Sequence, residues 1–353
     1  MKLYINARFL LQKRTGVERY AYEMCRALKE IGADIHLICP QSGEINPTYD
    51  ITGFNIVRFG WGRSHLWEQL ILPFFFVRKK NYTVISFTGL GSILVPHKIM
   101  TIHDLSFLEN PQWFSKAYYY YYKIMTPLAV RTSQHIVTVS EFSRNEIMHF
   151  YPFIHQEKIT VIYNAAEERL FGTKKQNNTD KPFFLAVSSL DPRKNFDTLI
   201  KAFKGLPDYR LIIAGGKNRV FGTSDAIAST EECPSNIEFI GRVEDQKLSE
   251  LYANARGYIS PSLYEGFGLP LIEAMMSGCP VLCSDIPVYH EVCNNAALFF
   301  NPNSYKALQD VVQKFAANET SLRQHLIAQG FANSKRFSWH DSAKKLIDIL
   351  KNL

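Results

Sequence analysis

Residues 257–280 run from a short apolar strand through a glycine bend into a helix, and no other stretch restricts the fold as much. Gly-Tyr-Ile-Ser-Pro-Ser at 257–262 reads as the strand. Gly266 and Gly268 let the backbone turn tightly and keep side chains out of a ligand's way. Pro270 suits a first helical turn, where its missing N–H would have had no partner. Leu271, Ile272, Met275 and Met276 follow at helical spacing, and Gly278 with Pro280 stops the helix. Such a run is a crossover unit of an α/β sheet. It turns backbone N–H groups and a positive helix end toward the place where a phosphate or hydroxyl would sit. Glu265 in the loop and Glu273 in the first helical turns bracket the bend. Either one alone signifies nothing, because glutamate near a helix start suits the dipole anyway.

The unit recurs along the chain. Strands are read at 2–6, 35–39, 55–59, 84–87, 99–102, 135–139 and 159–163, then at 183–188, 209–214, 237–240, 257–262, 281–284 and 298–302. Helices fall between them: from Thr15-Gly16 to about Ile31, over 66–77, within 113–125, after an N-cap at Ser140, and over 198–203, 248–255, 306–315 and 337–353. The alternation predicts α/β architecture, with two doubly wound Rossmann-like domains facing a cleft. The domains span 1–165 and 183–335, with a linker at 166–182 whose tail at 172–180 is polar and turn-rich. A length of 353 residues fits two domains, and 46% hydrophobic content supplies two cores.

Candidate functional residues gather at strand ends, where such sheets place ligands. Gly16 lies in the first loop, which has no GxGxxG pattern and so argues against a nicotinamide cofactor. His103 and Asp104 follow the strand at 99–102, and Gly241, Arg242 and Val243 follow 237–240. Arg193 and Lys194 are adjacent cations ahead of a helix, the first able to fork onto phosphate and the second a point charge. A structural histidine, a solvated Arg-Lys pair and turn glycines explain these one at a time.

Together they match a pattern. Glu265-x7-Glu273, with Gly266-Phe267-Gly268-Leu269-Pro270 inside it, resembles the donor-site motif of family 4 retaining glycosyltransferases of the GT-B fold. Trp67-Glu68-Gln69, His103-Asp104-Leu105, Pro111 and Phe114 resemble a mannosyl- or hexosyltransferase subset. The resemblance covers nearly the whole chain and is most specific over 183–295. It implies that Gly16 approaches the donor diphosphate and that Gly241, Arg242 and Val243 line the nucleobase. It places His103 beside the donor sugar as a polarising, positioning group. Glu265 and the N–H groups of Gly266, Phe267, Gly268 and Leu269 would grip sugar hydroxyls, and Glu273 the ribose. Arg193 and Lys194 would stabilise charge on the leaving diphosphate. Residues 1–165 would bind the acceptor and 183–335 the nucleotide sugar, and the terminal segment 336–353 would cross back to the first domain. Two departures stand out: Asn164-Ala165 replaces Asn-Gly, and Ser188-Ser189 replaces Gly-Arg, so Arg193 is expected to supply the absent cation.

The implied reaction moves a hexose, with mannose the first guess, from a nucleotide-diphosphate sugar to a lipid-linked or oligosaccharide acceptor, as in surface-polysaccharide assembly. Retention, no metal, no cofactor and no protein base are expected. The alternatives are a soluble sugar-phosphate or glucan synthase using UDP- or ADP-glucose, and a nucleotide-sugar-binding protein without turnover.

Charge and cysteine content bear on partners. Residues 1–165 carry 18 Lys and Arg against 12 Asp and Glu, most of the net +7. With Arg78-Lys79-Lys80 after an apolar helix and tyrosines from 118 to 122, this suits peripheral contact with an anionic membrane. Scattered solvated lysines explain the same charge. No dense basic run or recognition motif points to nucleic acid. The six cysteines form no CxxC pair and read as buried thiols of a reducing, cytoplasmic compartment.

Overall fold

A computed structural model describes residues 2–171, 182–216 and 234–353. The linker tail at 172–180, Lys217 and Cys233 lie outside them. Contacts divide the chain into two compact units. One comprises Met1–Leu105, Tyr120–Asn164 and Ser338–Leu353, the other Ser106–Tyr119 and Ala165–Phe337.

The first unit is built on a parallel sheet of seven strands: β1 (Lys2–Asn6), β2 (Ile35–Cys39), β3 (Asn55–Arg58), β4 (Tyr82–Ser86), β5 (Lys98–Ile102), β6 (His135–Thr138) and β7 (Ile159–Val161). Their spatial order is β3-β2-β1-β4-β5-β6-β7. β4, β5 and β6 are buried along their whole length, as expected of parallel strands covered on both faces. The order reverses between β1 and β4, so the carboxyl ends of those two strands open a crevice.

The second unit has six parallel strands: β8 (Phe183–Val187), β9 (Arg210–Ala214), β10 (Ile237–Gly241), β11 (Gly257–Ser260), β12 (Val281–Ser284) and β13 (Ala297–Phe300). Their order is β10-β9-β8-β11-β12-β13, with the reversal between β8 and β11. Its core packs Phe184, Leu199, Phe203, Ile259, Leu282 and Phe315 together. Each such side chain contributes about 1.5–3 kcal/mol by leaving water.

Several helices differ from the sequence reading. The stretch 66–77 is helical but not one α-helix. A short turn at Ser64–Leu66 leads into a π-helix at Trp67–Ile71 and then an α-helix at Leu72–Phe76. The wider π turn lets three consecutive residues, Trp67, Glu68 and Gln69, all be buried. The helix at 113–125 shifts to Lys116–Thr132. A helix at Glu319–Ser334 was absent from the sequence reading. Its inner face includes Gly330, Asn333 and Ser334, residues that obscure an apolar stripe. It packs on the helix Leu269–Met276, and a Cβ on Gly330 would lie 3.2 Å from Met275 Cγ. The last helix is Trp339–Lys351, within the first unit: Ser342 Oγ donates to Tyr163 O at 2.8 Å, and Trp339 meets the Tyr20 ring at 5.7 Å.

Cys25, Cys39, Cys279, Cys283 and Cys293 are free and buried. Burial pushes Cys25, Cys39, Cys279 and Cys283 up, Cys279 to about 12, so those four thiols stay protonated and act as small apolar groups.

Candidate active site

The bend after β11 is built as its residues require. Gly268 holds φ at 106° and precedes the helix Leu269–Met276, with Pro270 in the first turn. A Cβ on Gly268 would stand 2.8 Å from both Leu271 Cδ1 and Tyr289 Cε1, so glycine is needed for space as well as for conformation. Phe267 is buried edge-on against Phe337, with ring centroids 5.5 Å apart, and anchors the bend from beneath.

The loop after β8 meets this bend across the β8/β11 crevice. Gly215, just past β9, allows the approach, because a Cβ there would fall 1.7 Å from Ser188 O. Pro192–Lys194 form a 3-10 turn that closes on Asn195 in the left-handed region, φ 55°. Asn195 Nδ2 donates to Pro261 O at 3.1 Å and Pro302 O at 2.8 Å, while Leu263 N donates to Arg193 O at 2.8 Å. Backbone ties thus fix both cations over the bend.

Charge is paired there with little exposure. Lys194 Nζ donates to Glu265 Oε1, which also accepts from Ser262 Oγ at 2.8 Å and from Tyr289 OH at 3.5 Å. Arg193 Nη1 is 3.9 Å from Glu265 Oε2, and its Nε is 3.3 Å from Asp191 Oδ1. Burial pushes the Glu265 carboxyl up. Lys194 and then Arg193 pull it further down, and it settles below the ordinary glutamate range. Glu265 is therefore ionised at neutral pH and holds two cations in fixed positions. A pocket opens here, lined by Val187, Ser188, Lys194, Glu265, Gly268 and Tyr289 among others.

Glu273 does not line that pocket. It is the fifth residue of its helix, within the first two turns as the sequence suggested, and accepts from Tyr252 OH at 3.1 Å. Tyr258, on β11, experiences both carboxylates. Gly241 ends β10 with φ 69°, and its carbonyl accepts from Gly215 N at 2.8 Å. Arg242 is exposed and Val243 half-buried beyond it.

Two candidates belong to the first unit. Gly16 opens the helix Gly16–Glu30 behind a capping box in which Thr15 and Glu18 bond reciprocally, and a Cβ on Gly16 would meet nothing within 4 Å. His103 follows β5. Its Nε2 lies 2.9 Å from Phe87 O, and its ring stands edge-on to Tyr20 at 4.8 Å. Burial lowers its pKa despite that carbonyl and Asp104, so the imidazole is neutral. A carbonyl only accepts, so Nε2 carries the proton and Nδ1 the lone pair.

Sequence reasoning gave no role to Asp191, Tyr289 or Asn195. Asp191 and Asn195 flank the cations and were readable as turn residues. Tyr289 arrives on the helix after the next strand, and nothing local to it signals the site.

Two family models match in tandem: Glycosyltransferase Family 4 over residues 14–168 and Glycosyl transferases group 1 over 169–333. An O-antigen chain mannosyltransferase of Salmonella typhimurium is 30% identical over 329 residues, covering 88% of this chain and 90% of that protein. Sucrose-phosphate synthase from Thermosynechococcus elongatus is similar in structure, with a TM-score of 0.80 at 18% identity over 99% of this chain and 98% of that one. HepE of Anabaena, in complex with UDP and glucose, gives 0.78 at 16% identity over 99% of each chain. At those identities the two structures bear on the fold alone, a GT-B pair of parallel-sheet domains. With that fold, tandem matches across both units and a relative at 30% identity over most of its length, the chain belongs to the family 4 glycosyltransferases.

Proposed function

We propose that this glycosyltransferase moves mannose from GDP-mannose to a hydroxyl of a lipid-linked or oligosaccharide acceptor, with retention and without a metal. The observation that carries the reading is the Arg193–Lys194–Glu265 knot at the β8/β11 crevice. Breaking a sugar–phosphate bond concentrates negative charge on the departing diphosphate. Cations already fixed by backbone ties and by Glu265 stabilise that charge without reorganising. Glu265 and the bend hold the sugar hydroxyls, and Glu273 the ribose. The departing phosphate takes the acceptor proton, so no protein base is assigned. His103, neutral with its lone pair on Nδ1, accepts from a hydroxyl and positions it. The mannose and acceptor assignments rest on the Salmonella relative's own description as an O-antigen chain mannosyltransferase. The sucrose-phosphate synthase likeness, at 18% identity, adds nothing on substrate.

The proposal includes a seat on an anionic membrane surface. Among the described residues no helix is long and apolar enough to cross a membrane. Leu66, Leu70, Phe74 and Val77, spaced four, four and three apart, are 48–72% exposed on the helical stretch that ends at Arg78-Lys79-Lys80. An apolar stripe beside a basic cluster fits an anionic leaflet. Phe74→Glu should abolish flotation with phosphatidylglycerol vesicles, and unchanged flotation removes the seat.

Thermal shift with GDP, UDP and ADP and their sugars tests the donor site, because a native-state ligand raises the melting temperature. GDP and GDP-mannose should stabilise the protein most, and Glu273→Ala should weaken that shift. No shift with any nucleotide overturns the reading, and an unchanged Glu273→Ala removes that residue from the ribose.

A further inference from the structure

The first unit carries a second charged cluster at its own strand-order reversal. Asn6 ends β1 and Arg8 follows it, and Thr88 and Gly89 follow β4. Glu68, fully buried on the π-helix, accepts from Asn6 Nδ2 at 2.6 Å. Its Oε2 lies 3.9 Å from Arg8 Nη2 and 3.7 Å from His65 Nδ1. Arg8 Nη1 donates to Ser64 Oγ at 3.2 Å, and His65 packs on the Tyr121 ring at 4.6 Å.

Four observations mark this cluster as more than a buried ion pair. Arg8 is only 6% exposed, yet its Nε has no hydrogen-bond partner, Thr88 Oγ1 and Tyr121 OH have none either, and Glu68 Oε2 and His65 Nδ1 meet no hydrogen-bond partner beyond their 3.7–3.9 Å ion-pair contacts. Buried polar atoms are ordinarily satisfied, so several orphans at one strand end point to a ligand that supplies the bonds. Ser64 sits at φ 53°, a left-handed conformation rare outside glycine that persists where function holds it. The π-helix Trp67–Ile71 is a turn type found mostly at functional sites. Gly89, at φ 70°, keeps the β4 loop close: a Cβ there would be 3.0 Å from Arg8 Nη2.

We propose that Arg8, His65 and Glu68 form a subsite for the ring hydroxyls of a neutral sugar, the sugar portion of the acceptor. This rests on the glycosyltransferase reading above. Arg8 is already matched by Glu68, so the cluster offers an anion no net positive charge. A carboxylate, a guanidinium and an imidazole side by side instead present both acceptors and donors, as a polyol requires. His65, its side chain 35% exposed, is the open lip of the subsite.

Saturation-transfer NMR on the full chain with methyl α-mannoside, mannobiose and N-acetylglucosamine tests this, with mannose 6-phosphate as the anionic competitor. At least one neutral sugar should show transfer. His65→Ala and Arg8→Lys should lower it at least fivefold while the melting shift with GDP stays. His65→Ala decides the matter should Arg8→Lys fail to fold, since His65 sits at the surface. Absence of transfer from every neutral sugar, full transfer in His65→Ala, or tighter binding of mannose 6-phosphate than of methyl α-mannoside overturns the subsite. Loss of the GDP shift in the unaltered protein overturns the donor reading instead and leaves the sugar result to be judged by itself.

Discussion

The two sheets reverse strand order at equivalent places, and each puts buried charge there, but they assemble it differently. At the β8/β11 crevice the cations are neighbours in sequence and the acid closes the pair through a loop tied by Asn195 and Leu263. At the β1/β4 crevice the charges come from residues 6–8 and 64–68, with Gly89 holding the third wall. Glu265 faces two cations, whereas Glu68 faces Arg8 at 3.9 Å and a histidine. The first arrangement is pre-formed, with its loop tied by backbone bonds on both sides of the cations. The second retains orphaned atoms and waits for a partner.

The sharpest way to break the comparison is to remove each acid. Glu265→Ala leaves Lys194 and Arg193 buried without it and should cost about 3–5 kcal/mol in chemical denaturation, with loss of transfer. Arg193→Ala should leave a folded protein whose turnover falls by roughly 10²–10³, the scale for losing one pre-positioned charge-stabilising donor. Unaltered turnover takes Arg193 out of the phosphate role. Glu68→Ala should cost less than Glu265→Ala, about 1–3 kcal/mol, since one charged partner and one amide lose their acceptor. Equal losses at the two acids would erase the distinction between the crevices.

Acidification gives the smallest effect and sharpens the same contrast. Burial pushes Glu68 up, but Arg8, His65 and Asn6 together hold it below the ordinary range, as Lys194 and Arg193 do for Glu265. Both folded-state values are depressed, so the unfolded chain binds more protons. Their stabilisation is present above the ordinary glutamate range and is lost as pH falls through the folded values. Burial keeps His103 neutral, so protonating it below the ordinary imidazole range also favours unfolding. Melting temperature against pH should fall on the acid side, and Glu265→Gln should flatten that limb more than Glu68→Gln. Matching slopes in both variants and the parent would contradict these shifts.

Much of this was legible because it is local. Gly268, Pro270 and the Leu271–Met276 spacing specify a bend and a helix within a few residues, and that is how they fold. Adjacent Arg193 and Lys194 announced a charged turn for the same reason. The helix Glu319–Ser334 was not legible, because a face containing Gly330, Asn333 and Ser334 gives no apolar period, and only Met275 and Val292 O across from it explain Gly330 and Asn333.

The sequence by itself determined the alternation of short apolar strands with helices, and therefore two parallel-sheet units with ligand ends. It also determined which residues could carry charge to those ends. Only the tertiary structure decided how they group. It separated Glu273 from the pocket and gave it to Tyr252, brought Tyr289 to Glu265, and turned Glu68 inward on a π-helix toward Arg8. The physical reason is range: backbone propensity acts over a turn or two of chain. Pairing of buried charges depends instead on which strand ends become neighbours, and sheet order sets that across dozens of residues.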